Sequence, residues 1–126
     1  MHIPNDTRYY DASTPAVENA ERWQEAATEE AEAQLKNMNS KDIAKNLWGD
    51  DARMYLWEFI VEGTQENIAN VEYDCETDNI DYGSICTAVV YSLTEEYIRD
   101  RLVRCNEEEI ISNIVSELST CDWQPE

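Results

Sequence analysis

Apolar residues recur every three or four positions along most of the chain, which is the spacing of amphipathic helices. From residue 14 to about residue 38, this spacing produces one thin, alanine-rich face. The pair Thr14-Pro15 is typical of a helix start, so residues 1–13 are predicted to form an irregular N-terminal lead. Because alanine is small, we expect this face to pack closely against a neighbouring element.

Further helices are predicted within residues 40–48, 50–63, 84–104 and 106–118. Ser40 and Asp50 are suitable N-caps, while Gly49 and Gly63 are suitable stops. The most apolar stretch of the chain is 54–61, which we expect to be buried nearly all round.

The segment 68–93 has two interpretations. Residues 71–83 form an acidic loop, and the β-branched residues that follow could pair with 68–73 as a small β-hairpin. Helix through most of 84–104 is favoured, and the hairpin remains an alternative. The predicted fold is therefore mostly α, with about five helices in a single compact domain over 14–126.

Charge changes this picture more than any other property. The 126 residues contain 28 acids and nine bases, giving a formal net charge of -19, while 42% are hydrophobic. That apolar content is enough for a folded core. Such a charge repels nucleic acid and anionic membranes, so the expected partner is a basic nucleic-acid-binding protein or complex.

A row of glutamates follows the first predicted helix, and we call it the carboxylate line. Its members are Glu18, Glu21, Glu25, Glu29 and Glu32. They lie within an arc of roughly 80° and span about 21 Å, opposite the alanine-rich face. One DNA strand carries a phosphate every 3.4 Å or so, and the line is a diluted version of that spacing. The alternative is a solvated helix face that is merely rich in glutamate.

Acids without compensating bases also occupy two later segments, between Arg53 and Arg99 and after Arg104. The candidate binding residues there are Glu72, Asp74, Glu76, Asp78, Asp81, Glu107, Glu108 and Glu109. A disordered acidic tail would concentrate its charge in one place. Charge spread over a folded chain predicts a surface that imitates a phosphate backbone.

The predicted function is a non-catalytic DNA mimic that blocks a restriction, CRISPR or DNA-processing protein. In general character the chain resembles small phage and mobile-element inhibitors of such proteins, without sharing a motif with a named family. The alternative is an adaptor, antitoxin-like neutraliser or allosteric inhibitor that binds through apolar surface. Salt adaptation would explain the acidity without either function. The loop aromatics Tyr9, Tyr10, Tyr73, Tyr82 and Trp123 could anchor a partner or a homodimer.

Motifs for catalysis or for cofactor binding are missing from the sequence, and His2 is the only histidine. The acidic loop 74–81 resembles a calcium loop but has Asn79 and Ile85 where glycine and glutamate are needed. We therefore expect no enzyme activity, metal or cofactor. Without a recognisable export signal or apolar span, a cytoplasmic location is expected, of the host cell if the chain is phage-encoded, with four buried free cysteines.

The basic residues of 95–104 suggest a salt-bridged helix surface. Glu95 with Arg99, and Asp100 with Arg104, have the i, i+4 spacing of helical ion pairs. The aromatic residues of 48–59 have helical spacing and are predicted to lie in the core.

Overall fold

The computed structural model describes the backbone of residues 3–74 and 80–125 and the side chains of 19–71 and 80–125. Its helices are α1 (Ile3–Lys36), α2 (Ser40–Trp48), α3 (Ala52–Asp74), α4 (Tyr82–Ser92) and α5 (Glu95–Thr120), with a 3-10 turn at Gly49–Asp51. The mostly α prediction is confirmed. The described ranges contain no strand, and 68–74 is helical, so the hairpin is wrong there.

Helix α1 begins at Ile3, not at Thr14, and therefore includes most of the predicted irregular lead. Pro15 therefore lies inside α1, where its ring nitrogen has no hydrogen to donate to the preceding turn, and it does not mark the start of the helix. The chain divides into two compact units, one up to Lys36 and from Ile111 onward, the other from Asn37 to Ile110. The single domain over 14–126 stays a prediction.

The first unit contains α1 and the end of α5. Ala27 and Ala31 are fully buried, as the alanine-rich face predicted, whereas Ala20 is exposed. The indole N–H of Trp23 donates to the backbone carbonyl of Trp123 at 3.0 Å, and the two rings meet edge to face. The indole contact thus joins the first helix to the C-terminal residues.

The second unit contains α2, α3, α4 and the first part of α5, around a core that includes Ile43, Leu102 and Ile110. Helix α3 packs against both α2 and α4. Between α3 and α4, the Asn67 amide donates to the hydroxyl of buried Ser92 at 2.7 Å, and that hydroxyl donates to a carbonyl of its own helix. The buried Ser92 hydroxyl thus both accepts and donates a hydrogen bond, which offsets the cost of burying it.

Local signals explain where α2 begins and ends. Asn39, not Ser40, is the N-cap, and it forms a capping box with Asp42. The helix ends at Gly49 as predicted, where φ is +57°, a backbone conformation that favours glycine. The following turn then leads directly into α3.

Gly63 does not stop α3, which continues to Asp74. The glycine is buried, and a Cβ placed there would lie 2.7 Å from Nη1 of Arg101. That nitrogen donates to the backbone carbonyl of Phe59 at 2.7 Å, and the guanidinium carbon lies 4.0 Å from the centre of the Phe59 ring. Gly63 is therefore a contact site for an arginine of α5, not a helix end.

The predicted helix over 84–104 is divided between α4 and α5. The chain turns at Leu93, and the Thr94 side chain accepts a hydrogen bond from the Tyr97 N–H at 3.3 Å, as an N-cap does. The predicted helix from Asn106 is part of α5 instead, and the non-helical φ of -135° at Asn106 marks a kink within it.

Glu95 and Arg99 of α5 were predicted to pair with each other. In the structure, both side chains bind at the start of α2 or in the turn before it. The Glu95 carboxylate accepts hydrogen bonds from the backbone N–H and the hydroxyl of Ser40, the latter at 2.7 Å. Arg99 Nε donates to the Met38 carbonyl, also at 2.7 Å. Together with Arg101, these side chains connect α5 to α2 and α3, so this segment is more than a charged outer surface.

Candidate protein-binding surfaces

The described part of the carboxylate line is exposed on α1. Glu21, Glu25, Glu29 and Glu32 all face solvent, while Ala27 and Ala31 are buried on the opposite side. The four span about 16 Å, one carboxylate every 5 Å or so. Glu18 continues the same helix, and its side chain lies outside the described residues. The helix thus presents a row of negative charges without apolar side chains between them.

The acids predicted between 72 and 81 have different positions. Glu72 and Asp74 belong to the last turn of α3, but their side chains are not among those described. Glu76 and Asp78 lie wholly outside the described residues, as does most of the loop 74–81 that resembled a calcium loop. Of this group, only the side chain of Asp81 can be placed.

Asp81 is the N-cap of α4 as well as an exposed acid. Its carboxylate accepts hydrogen bonds from the Ser84 backbone N–H at 3.0 Å and from the Ser84 hydroxyl at 2.7 Å. The hydrogen bond from the hydroxyl has the larger effect and that from the backbone N–H the smaller, and together they hold the pKa of Asp81 below its ordinary value of 3.8. The residue therefore has a structural role that the sequence did not reveal.

We expect Ser84→Ala to raise the pKa of Asp81 towards the ordinary value, because the larger of the two lowering hydrogen bonds is removed. The cap stabilises α4 fully above the ordinary pKa and is lost as pH falls through the lowered one. In the variant this loss begins at higher pH. An NMR titration of the Asp81 carboxyl carbon measures the shift, with Ser112→Ala as the control. An unchanged Asp81 midpoint in Ser84→Ala would contradict the assignment.

The three consecutive acids Glu107, Glu108 and Glu109 are exposed and follow the kink in α5. Successive helical residues point about 100° apart, so these three side chains diverge instead of forming a row. They add negative charge to the surface, but they do not reproduce the geometry of the carboxylate line.

A second row of acids was not singled out from the sequence. Glu58, Glu62 and Glu66 are exposed on α3 at i, i+4 spacing, and we call them the α3 line. The spacing alone would have identified it. The α3 line is shorter than the carboxylate line, and Glu66 lies 3.8 Å from Nη2 of Arg101. Its charge is therefore partly compensated.

The apolar stretch 54–61 is not buried all round, contrary to expectation. Trp57 is 68% exposed and Met54 is 53% exposed, whereas Phe59 is half-buried. Tyr55 is also exposed, although its ring lies 5.9 Å from that of Trp48. Part of the apolar surface of α3 therefore faces solvent.

An open groove of about 1130 Å³ lies beside this exposed surface, and we call it the α2–α3 groove. Apolar residues from both helices line it, including Ala44, Leu56, Trp57 and Ile60. Its charged lining residues are Lys41, Lys45 and Arg53, with Asp42, Asp50 and Asp51. Both signs of charge therefore surround the apolar surface.

Helix α4 presents a different apolar surface. Its sequence, YGSICTAVVYS, contains no charged residue. Tyr82, Val90 and Tyr91 are each more than half exposed, and so is Leu93 just beyond the helix. Tyr82 was predicted in a loop as a partner anchor, and it is exposed at the start of this helix instead. Trp123, predicted as another anchor, is partly buried against Trp23.

The described cysteines Cys86, Cys105 and Cys121 are free and exposed, so the expectation of buried thiols is wrong for them. Within the described residues, no group of acidic, cysteine or histidine side chains has an arrangement suited to a metal ion. The same part of the chain contains no helix that could span a bilayer.

The candidate binding features are therefore two acidic rows and two apolar surfaces. The acidic rows are the described part of the carboxylate line (Glu21, Glu25, Glu29 and Glu32) and the α3 line, and the apolar surfaces are those of the α2–α3 groove and of helix α4. Comparison with protein-family models, with curated proteins and with solved structures gives no match for this chain.

Proposed function

We propose that this protein is a non-catalytic inhibitor that acts as a DNA mimic. It occupies the nucleic-acid-binding site of a host-defence protein, of the restriction or CRISPR type, or of another DNA-processing protein. The supporting observation is the exposure of the four described glutamates along one side of α1. The formal net charge of -19 strengthens the attraction to a basic cleft.

The mechanism is stoichiometric occlusion. Carboxylates that meet lysine and arginine side chains release the ions condensed around the two surfaces, as a phosphate backbone does, and the gain falls as salt rises. Long-range attraction also accelerates encounter with a basic site. Because the carboxylates are fixed on a helix whose other side is buried, they are held in a row before binding occurs.

Charge neutralisation on the two acidic rows tests this proposal. The triple variant Glu21→Gln, Glu25→Gln, Glu29→Gln removes three charges from the carboxylate line. Its matched control removes three at the same spacing from the α3 line, namely Glu58→Gln, Glu62→Gln and Glu66→Gln. Both variants have the same net charge, and glutamine retains the side-chain length and the helix propensity of glutamate.

Inhibition of DNA cleavage is measured against a panel of restriction endonucleases and RNA-guided nucleases, and the most sensitive enzyme is used. The first variant should weaken inhibition by about tenfold or more. It should also reduce the slope of log affinity against log salt concentration by an amount corresponding to up to about three charges, and the control should change both quantities far less. Equal weakening by both would mean that only net charge matters. Unchanged inhibition by the first variant would exclude the carboxylate line.

The exposed outer surface of α4 favours a second candidate function. An adaptor, antitoxin-like neutraliser or allosteric inhibitor would bind through Tyr82, Val90 and Tyr91, with acidity serving solubility. Binding of that kind changes little between about 50 and 300 mM salt, because few counterions are released. Val90→Glu would then abolish inhibition, and neutralising the carboxylate line would not.

A further inference from the structure

The α2–α3 groove differs in charge from the acid-rich helix surfaces of this protein. Three of the nine bases line it, Lys41, Lys45 and Arg53. Three acids, Asp42, Asp50 and Asp51, balance them, so the groove is formally neutral. In a chain with a net charge of -19, this neutrality marks a place that another acidic protein can approach.

The same groove carries exposed apolar side chains at its edge. Trp57 is 68% exposed and Met54 is 53% exposed, while Ala44 and Leu56 provide apolar lining that is more buried. Tryptophan is among the residues that most often dominate the binding energy of protein interfaces. A partner that covers Trp57 would therefore remove a large apolar surface from water.

We propose that the α2–α3 groove is the surface through which two copies of this chain associate around a two-fold axis. A two-fold interface uses the same patch on both subunits, so the patch must complement itself. A groove with both charge signs around apolar side chains meets this requirement, because the bases of one copy can face the acids of the other. The α4 surface has no charges with which to set such a register.

The charge of the groove also favours a second copy of this chain as its occupant over the basic partner of the proposed function. A basic protein is attracted most strongly to the acid-rich helices, whereas the formally neutral groove gives it no net attraction. Two copies of this chain repel each other generally, but surface charges more than about 8 Å apart are largely screened at physiological salt. Contact through the formally neutral groove therefore brings less like charge together than contact through the acid-rich helices does. Self-association through this groove is independent of the proposed function.

The first test measures the mass of the full chain in solution under reducing conditions, which exclude disulfide links through the exposed cysteines. Sedimentation velocity over about 1–500 µM, a range suited to weak interfaces, should show the mass rising from 14.6 kDa towards twice that value. Trp57→Glu should keep the protein monomeric. The matched control, Val90→Glu, changes a residue that is 66% exposed on α4 and should leave association intact.

A charge inversion then tests self-complementarity. Lys45→Glu with Arg53→Glu makes the groove mostly acidic and should abolish association. Adding Asp50→Lys and Asp51→Lys restores both signs in exchanged positions and should restore the dimer. Far-UV circular dichroism verifies that each variant is folded. The proposal is overturned if the wild-type chain stays monomeric at every concentration. It is also overturned if the dimer is lost in Val90→Glu but not in Trp57→Glu, or if the variant with all four charge substitutions stays monomeric.

Discussion

Gly63→Ala is expected to destabilise the protein by about 1–2 kcal/mol when Arg101 is present, and to stabilise it by about 0.5–1 kcal/mol when residue 101 is alanine. The added Cβ would lie 2.7 Å from Nη1 of Arg101, so the guanidinium would have to move. Movement breaks the 2.7 Å hydrogen bond to the Phe59 carbonyl and the contact with the Phe59 ring. Without the arginine, only the better helix propensity of alanine remains.

Urea unfolding of the wild type, both single variants and the double variant measures this change of sign. Arg101→Ala alone should cost about 2–3 kcal/mol, since a buried, charged hydrogen bond is lost. Glu66→Gln is the control, and we expect a change within about 0.5 kcal/mol because its partner lies 3.8 Å away and its side chain is 62% exposed. An equal effect of Gly63→Ala in both backgrounds would show that Arg101 does not occupy the space above the glycine.

Leu102→Ala is expected to lower the free energy of unfolding by about 2–5 kcal/mol. Leu102 is fully buried in the second unit, so truncation removes apolar contacts and leaves a cavity among its neighbours. It also lies next to Arg101 on α5, the helix whose side chains reach α2 and α3. The loss should therefore reduce the stability of the whole unit.

The control for Leu102→Ala is Val90→Ala, at a residue that is 66% exposed on α4. This change should alter the free energy of unfolding by no more than about 0.5 kcal/mol. Both are measured by the same urea titration, followed by circular dichroism. A cost below about 1 kcal/mol for Leu102→Ala would indicate that the second unit has no tightly packed core at this position.

The sequence was sufficient to predict a mostly α fold because helical spacing and local capping signals are strong, although it left a small β-hairpin open as an alternative. It identified the limits of α2 to within a residue and the burial of Ala27 and Ala31. It did not predict that α3 passes through Gly63. Position 63 accommodates a close approach by Arg101, which is 38 positions away in the chain. A tertiary contact of this kind leaves no signature in the local sequence.

The candidate surfaces were predictable to different degrees. The carboxylate line follows from helical spacing alone, and its described members are exposed as expected. The exposure of Trp57 and Met54 was not predictable, because an apolar run looks the same whether it is covered or left open. Asp81 was expected to be a binding acid, yet its hydrogen bonds to Ser84 emerge only when the start of α4 is known.

Competition with duplex DNA is the most direct test of the central claim that this protein occupies a nucleic-acid-binding site. The nuclease that it inhibits most strongly is titrated with the protein at several concentrations of labelled duplex. If the protein is a DNA mimic, the half-inhibiting concentration rises linearly with the duplex concentration, and bound duplex is released. The claim would be contradicted if the half-inhibiting concentration did not depend on the duplex concentration. It would also be contradicted by a complex that contains the nuclease, the duplex and this protein together.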